Sequence, residues 1–389
     1  MHVGALLHKK LKDASIHASR LKVLMETSKS LLNHSKLTLT GLARGLKSKA
    51  NTKSNINKMD SLIGNTKLYD DRKVIYKTLN HWTIGSREHI YLLVDWSSAS
   101  PGERYQLLRA SLAVKGRSLT IYEEIHPLSD YNKEDIHKKF LDNLKEVLPL
   151  IMPVTIITDA GFCVSWFKAV QSLGWDFVGR ISNTSVYSNE KGEELPIRGH
   201  LSYNQEEVVS DMGEISLTKA HGFKCYLQLY KKSKKHRVNL TINKERSARS
   251  VSVKASEREK QAWIIVSSIG GDDIKAKEAI RLYALRMQIE ESFRDLKSHQ
   301  FGMGLEDSRS QGIVRLSNLL LIGYIASIMA WLIGIGARAK KLQYRFQGNS
   351  VKNKEILSIF FLAREVVRKS LHLFKRHEWD AALLELQGY

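Results

Sequence analysis

Three carboxylates in this sequence stand where a divalent cation could be held. Asp95 closes the apolar run IYLLVD and Asp159 closes the apolar run VTIITD. A carboxylate at the end of a buried strand faces a cleft, and its hard oxygen atoms suit Mg2+ or Mn2+. Taken singly, each aspartate is more often a strand-end cap or turn former. The third carboxylate, Glu290, lies in RLYALRMQIEESFRDLKS, where Tyr283, Arg286, Glu290 and Lys297 follow at intervals of three, four and seven residues. On a continuous helix these four positions form one stripe. Such a stripe flanks one carboxylate with phosphate binders, Arg bidentate and Lys as a point charge. The plainer alternative is a solvated face with an Arg286–Glu290 ion pair. Glu291 is adjacent but points about 100° away around the helix, so Glu290 is the preferred ligand. Arg294, one turn further on, joins the phosphate-binding candidates.

The elements that must position these groups are legible nearby. IYLLVDW, QLLRASLAV and SLTIYEEI are apolar runs separated by the turn signals SPGER and KGR, and they predict three strands. A helix over Glu134 to Val147, the strand VTIITD, a helix over Trp166 to Ser172 and the strand DFVGRI follow. This order predicts a mixed α/β sheet of five strands. Residues 183–262 are polar, with alternating patches (KCYLQLY, RVNLTI) and basic clusters (KKSKKHR, KERSAR), and predict a β-rich insertion. One long helix, about Asp273 to Lys297, carries Glu290, and the remainder is mainly helical.

Charge narrows the partners. The chain of 389 residues carries a net charge of +21. A polyanion explains such an excess, because Lys and Arg displace the counterions condensed on phosphate backbones. Residues 1–80 hold 16 Lys and Arg against 5 Asp and Glu, about half of the whole excess. There a short helix over Thr40 to Leu46 and a second over Thr52 to Ile63, joined by a small polar turn, resemble a helix-turn-helix. Lys53, Asn55 and Lys58 on the second helix are the candidates to face double-stranded DNA; a plain helical bundle with a basic face is the alternative.

Two cysteines, Cys163 and Cys225, make neither a disulfide framework nor a cysteine zinc site. The N-terminal apolar stretch is too short for an export signal, so a cytoplasmic location is expected. Leu316 to Ala337 contains no charged residue and is long enough to span a membrane. With no second such segment and a basic chain around it, a buried core helix and no membrane partner are expected.

The four-residue stripe matches, position by position, the Y-x2-R-x3-E-x6-K signature of the insertion-sequence-four family of DDE transposases. LTLTGLARGLKSKANTKSNI, LVDWS, ITDAGF and RMQIEESFRDLKS resemble members of the Tn-ten type from about Leu37 to beyond residue 350. The resemblance implies an RNase H-like core with a β-rich insertion, a helical basic DNA-binding domain before it and a helical region after it. The corresponding boundaries are 1–82, 83–182 with 263–340 for the core, 183–262 for the insertion and 341–389. It implies that Asp95, Asp159 and Glu290 are catalytic and bind two Mg2+ ions about 4 Å apart, with Mn2+ able to substitute. It further implies that Tyr283, Arg286 and Lys297 hold phosphates near the cleaved end. Trp263 resembles in placement a tryptophan that supports an unstacked base, although core packing within AWIIVSS explains it equally. The implied activity is cut-and-paste transposition through a hairpin, on terminal inverted repeats and target DNA, with two copies in the synaptic complex. An RNase H-like nuclease without strand transfer and an inactive DNA-binding derivative remain as alternatives.

Overall fold

A computed structural model describes residues 3–33, 36–189, 191–217, 222–233, 261–300, 302–348, 354–371 and 374–389. The chain forms two compact units, Met1–Met152 with Met287–Tyr389, and Pro153–Arg286.

The first unit opens with five helices: α1 (Val3–Lys12), α2 (Ala18–Leu32), α3 (Leu39–Gly45), α4 (Thr52–Ile63) and α5 (Thr66–Ile84). Short polar side chains start three of them. Thr38 Oγ1 accepts from Gly41 N, Asn51 Oδ1 from Ser54 N at 2.9 Å, and Asn65 Oδ1 from Leu68 N at 2.8 Å. Each satisfies an N–H that the helix itself leaves unpaired. Next come β1 (Ile90–Ser98), β2 (Tyr105–Ala113) and β3 (Ser118–Pro127), antiparallel in the order β3-β2-β1, and α6 (Glu134–Val147). The unit is completed by α9 (Met287–Lys297), α10 (Ile313–Ala339), α11 (Ile359–Arg368) and α12 (Arg376–Gly388).

Helix α10 is the core of this unit. By length and composition it could cross a membrane, but 94% of its most apolar window is buried, against α2, α4, α5, α11, α12 and β3. A helix apolar on every side needs such a surround. Some of its polar groups bond inside the core, while Ser317 Oγ and Asn318 Oδ1 are buried without a hydrogen-bond partner. Asn318 Nδ2 donates to the carbonyls of Ile63 and Asn65 at 3.0 and 2.9 Å, and Tyr324 OH donates to Asn80 Oδ1 at 2.9 Å. The first bond pair fastens the end of α4 to the core.

The second unit contains β4 (Val154–Thr158), α7 (Val164–Ser172), β5 (Asp176–Arg180), β6 (Val186–Ser188), β7 (Glu194–Pro196), β8 (Val209–Leu217), β9 (Phe223–Tyr230), β10 (Trp263–Ser267) and α8 (Asp273–Ala284). Its sheet runs β4-β5-β10-β9-β8-β6-β7, parallel between β4 and β5 and antiparallel beyond. Of the five strands expected for the core, β4 and β5 lie here, and the insertion's strands and β10 extend the sheet beyond them. Strand β10 pairs with β5 on one edge, and on the other it accepts β9, which brings the insertion's strands into the same sheet. Pairing satisfies backbone groups that an open edge would leave exposed. RVNLTI and KERSAR, and most of KKSKKHR, lie outside the described residues.

The single helix expected over Asp273 to Lys297 is two helices. At the end of α8, Leu285 N and Arg286 N bond back to the carbonyls of Leu282 and Tyr283, both at 3.0 Å. These i→i−3 bonds tighten the last turn and end the i→i−4 ladder. Helix α9 then starts afresh at Met287, so Tyr283 and Glu290 do not share one continuous helical stripe.

Candidate active site

Asp95 sits on β1, the sixth residue of nine, rather than at the strand's end. The strand is largely buried up to Val94 and half-buried from Asp95 to Ser98, so the aspartate marks where it emerges from the core. Its Oδ1 accepts from the amide of Trp96 at 2.8 Å. Ser97, two residues on and hence on the same face, accepts from Lys297 Nζ at 2.6 Å. That bond carries Lys297 of α9 to the strand of Asp95. Burial and the neighbouring Arg109 pull the Lys297 ammonium below its usual pKa, while Glu306, Asp95 and Glu103 oppose the shift. A cleft of 290 Å3 opens beside it, lined by Ser98, Ala99, Ser100, Lys297, Leu305 and Glu306.

Glu290 lies in the first turn of α9, where the helix dipole favours a carboxylate. Glu291 is committed elsewhere: it pairs with Arg117 and with Arg294, both at 2.9 Å. Arg117 also holds Asp295, one turn along, at 2.9 Å. Arg294 is 69% exposed and pairs with Glu291, on a different line of the helix from Glu290.

In the second unit, Asp159 directly follows β4, as expected. Gly161 N donates to its Oδ1 at 2.8 Å. A Cβ on Gly161 would stand 3.0 Å from that oxygen, so a larger residue there would press the carboxylate aside. Tyr283 is 5% exposed and meets Trp263 edge-on, with ring centroids 4.9 Å apart. Burial raises its phenol pKa, the Arg286 and Arg180 charges lower it, and the Asp159 charge raises it again. Arg286 also hydrogen-bonds Tyr283 through its side chain. Trp263 is half-buried, with Tyr230 at 5.6 Å and Lys232 Nζ 4.2 Å above its ring. It is neither an enclosed core residue nor a bare platform.

Among the proposed DNA-facing residues of α4, Lys53 is exposed and Lys58 pairs with Glu26 at 3.1 Å. Asn55 is a correction: it is 7% exposed, on the face that buries Met59, Leu62 and Ile63, and cannot reach a ligand surface. Sequence reasoning also passed over Ser97, Arg109 and Glu123. An ionisable residue inside a wholly apolar strand must find a partner, and QLLRASL and LTIYEEI each carry that signal.

Among the described residues no group of three or more His, Cys, Asp and Glu side chains forms a ready metal cage. Each of Asp95, Asp159 and Glu290 offers the hard oxygen donors that suit a divalent cation. All three donors are carboxylates, and Asp159 and Asp95 already orient one oxygen by a backbone N–H.

A family model described as the transposase DDE domain matches residues 87–329. The chain belongs to the DDE transposase family. No curated protein matches it. The matched span contains every strand of both units described above, together with α9 and most of α10. As a DDE transposase the protein acts on DNA in transposition, a recombination reaction, and enzymes of this family generally use divalent metal ions.

Proposed function

We propose that this DDE transposase is a cut-and-paste enzyme of the insertion-sequence-four family. In this reading it cleaves both strands at each terminal inverted repeat through a hairpin and joins the freed 3′ ends to target DNA. The observation that carries it is the Lys297–Ser97 bond, which sets the Lys297 ammonium and the helix of Glu290 on the face of β1 that holds Asp95.

Asp95, Asp159 and Glu290 would hold Mg2+, with Mn2+ as a substitute. Bound there, two such cations supply an activated attacking oxygen and a stabilised leaving oxygen for in-line displacement at phosphorus. Lys297, Arg286 and Tyr283 bind and orient the phosphates at the cleaved end. The Lys297 charge acts from a partly desolvated position, where it is screened less than a surface charge. Trp263 lends one face to an unstacked terminal base. Joining exchanges one phosphodiester for another, so no nucleotide hydrolysis is needed. Two transposon ends call for two copies of the chain in the synaptic complex.

The test is excision from a plasmid carrying the element's own ends, wild type against Glu290→Gln, with Mg2+ and with chelator. Wild type with metal should alone release the segment. Excision by Glu290→Gln at the wild-type rate would remove Glu290 from the metal-binding set. Bound but uncut ends with both proteins would favour a DNA-binding derivative.

A further inference from the structure

Three charged residues stand in one row across β1, β2 and β3. Asp95 is the direct antiparallel partner of Arg109, and Arg109 is the direct partner of Glu123. Directly opposed residues share a face of the sheet, with Cβ atoms about 5 Å apart. Arg109 therefore has one acid on each side, but its donors go to one of them. Nε at 2.8 Å and Nη2 at 2.6 Å both donate to Glu123 Oε2. Tyr76 OH donates to the other oxygen, Oε1, at 3.1 Å. Glu123 is 1% exposed and Arg109 3%. Phe293 of α9 lies against the guanidinium, 5.1 Å from its carbon.

A buried ion pair seldom stabilises a fold more than apolar residues of the same volume would. Packing alone is thus a weak reason to set a guanidinium beside Asp95. A guanidinium and a divalent metal ion also compete for the same carboxylate oxygens, since Arg binds carboxylate with two parallel N–H groups. We propose that Glu123 is a positioning residue that captures the Arg109 guanidinium, so that this fixed cation does not occupy Asp95 in place of the metal ion. The inference rests on Asp95 being a metal ligand. It assigns Glu123 no contact with DNA or metal. Its work is done through Arg109.

The experiment is Mn2+ binding to the full-length chain, followed by calorimetry and water-proton relaxation, with thermal melts as the folding check. The proteins are wild type, Asp95→Asn, Glu123→Gln, and Arg109→Met combined with Glu123→Leu. Glu123→Gln frees Arg109 to turn to Asp95, and the Mn2+ dissociation constant should rise about tenfold or more, the usual cost of losing such a supporting partner. The double variant removes the guanidinium with its holder and should return binding to within about threefold of wild type. A folded Glu123→Gln that binds Mn2+ as wild type does would overturn the proposal. So would a double variant as weak as the single one, because the pair would then act by packing. Glu123→Asp keeps the charge and loosens the grip, and serves if Glu123→Gln does not fold; weaker binding supports the proposal and unchanged binding overturns it. If wild type takes up no Mn2+, or Asp95→Asn binds it undiminished, the assignment of Asp95 as ligand fails first. Loss in Asp95→Asn without loss in Glu123→Gln defeats this inference alone.

Discussion

The two units hold their candidate site residues by different means. In the first, Asp95 and Lys297 sit beside a buried charge network: Arg109 and Glu123 lie one and two strands away in register, and Lys297 is anchored by Ser97. In the second, Tyr283 and Trp263 are held by ring against ring, with the Arg286 and Arg180 charges acting on a buried phenol. Hydrogen-bonded charges in a desolvated setting fix direction and fail sharply when one partner is lost. Apolar ring contacts fix place more loosely and tolerate a change of polar tip. On the proposed reading, Asp95 draws on the first kind of support, and Tyr283 and Trp263 on the second.

The hardest test of this contrast treats the two aspartates alike. Asp95→Asn and Asp159→Asn each remove a proposed metal ligand, one from each unit. Metal coordination supplies several kcal/mol of transition-state stabilisation, so each should lower DNA cleavage by on the order of a thousandfold or more while end binding persists. Near-normal cleavage by Asp159→Asn alone would leave the first unit as the sole chemical centre and break the comparison.

Tyr283 comes next. Tyr283→Ala empties a buried ring site against Trp263 and should cost about 3 kcal/mol of stability. Tyr283→Phe keeps the ring and removes only the hydroxyl near Arg286 and Asp159. It should melt close to wild type but bind cleaved ends less well. If the two variants lose equal stability, the hydroxyl network rather than ring packing holds the second unit.

Much of this arrangement was legible in the sequence because its signals are local. Helices α4 and α6 have the bounds expected, since each is amphipathic and α4 starts at a polar cap. The break between α8 and α9 was not legible. No Gly or Pro marks it, and the apolar periodicity runs through Leu282, Leu285 and Ile289 without interruption. Only the tightened bonds of Leu285 and Arg286 reveal it. Asp95 ended the apolar run in sequence, yet β1 continues to Ser98, because pairing with β2 sustains a strand beyond its hydrophobic stretch. The buried side of Asn55 and the Asp95–Arg109–Glu123 row depend on tertiary register, which spacing along the chain does not encode.

Acid should find the first unit. Burial lowers the His137 pKa to about 4, and its Nε2 accepts a hydrogen bond from Trp96 Nε1 at 3.1 Å, on the strand face opposite Asp95. The folded value lies below the free value of about 6.5, so between them the unfolded chain binds more protons. Stability is therefore intact above about pH 6.5 and falls as pH drops toward 4, by up to about 3 kcal/mol. His200 in the second unit is shifted the same way but is only half-buried. Urea midpoints across this range should decline more gently in His137→Gln than in wild type. Equal slopes would move the acid-sensitive group elsewhere.

The smallest effect separates two cations on α9. Lys297 is partly buried and bonded to Ser97, whereas Arg294 is 69% exposed and paired with Glu291. One phosphate contact contributes about 0.9 to the slope of log affinity against log salt on duplex DNA. Lys297→Ala should flatten that slope by about this amount and weaken binding to transposon ends at low salt. Arg294→Ala should change it less, because its charge already faces a carboxylate and solvent. The measurement is a filter or anisotropy titration at four salt concentrations. Identical slopes for wild type and Lys297→Ala would show that burial beside Asp95 serves the protein's own charge balance rather than the DNA. The support found in the first unit would then be structural, and the phosphate-binding role would pass to Arg286 in the second.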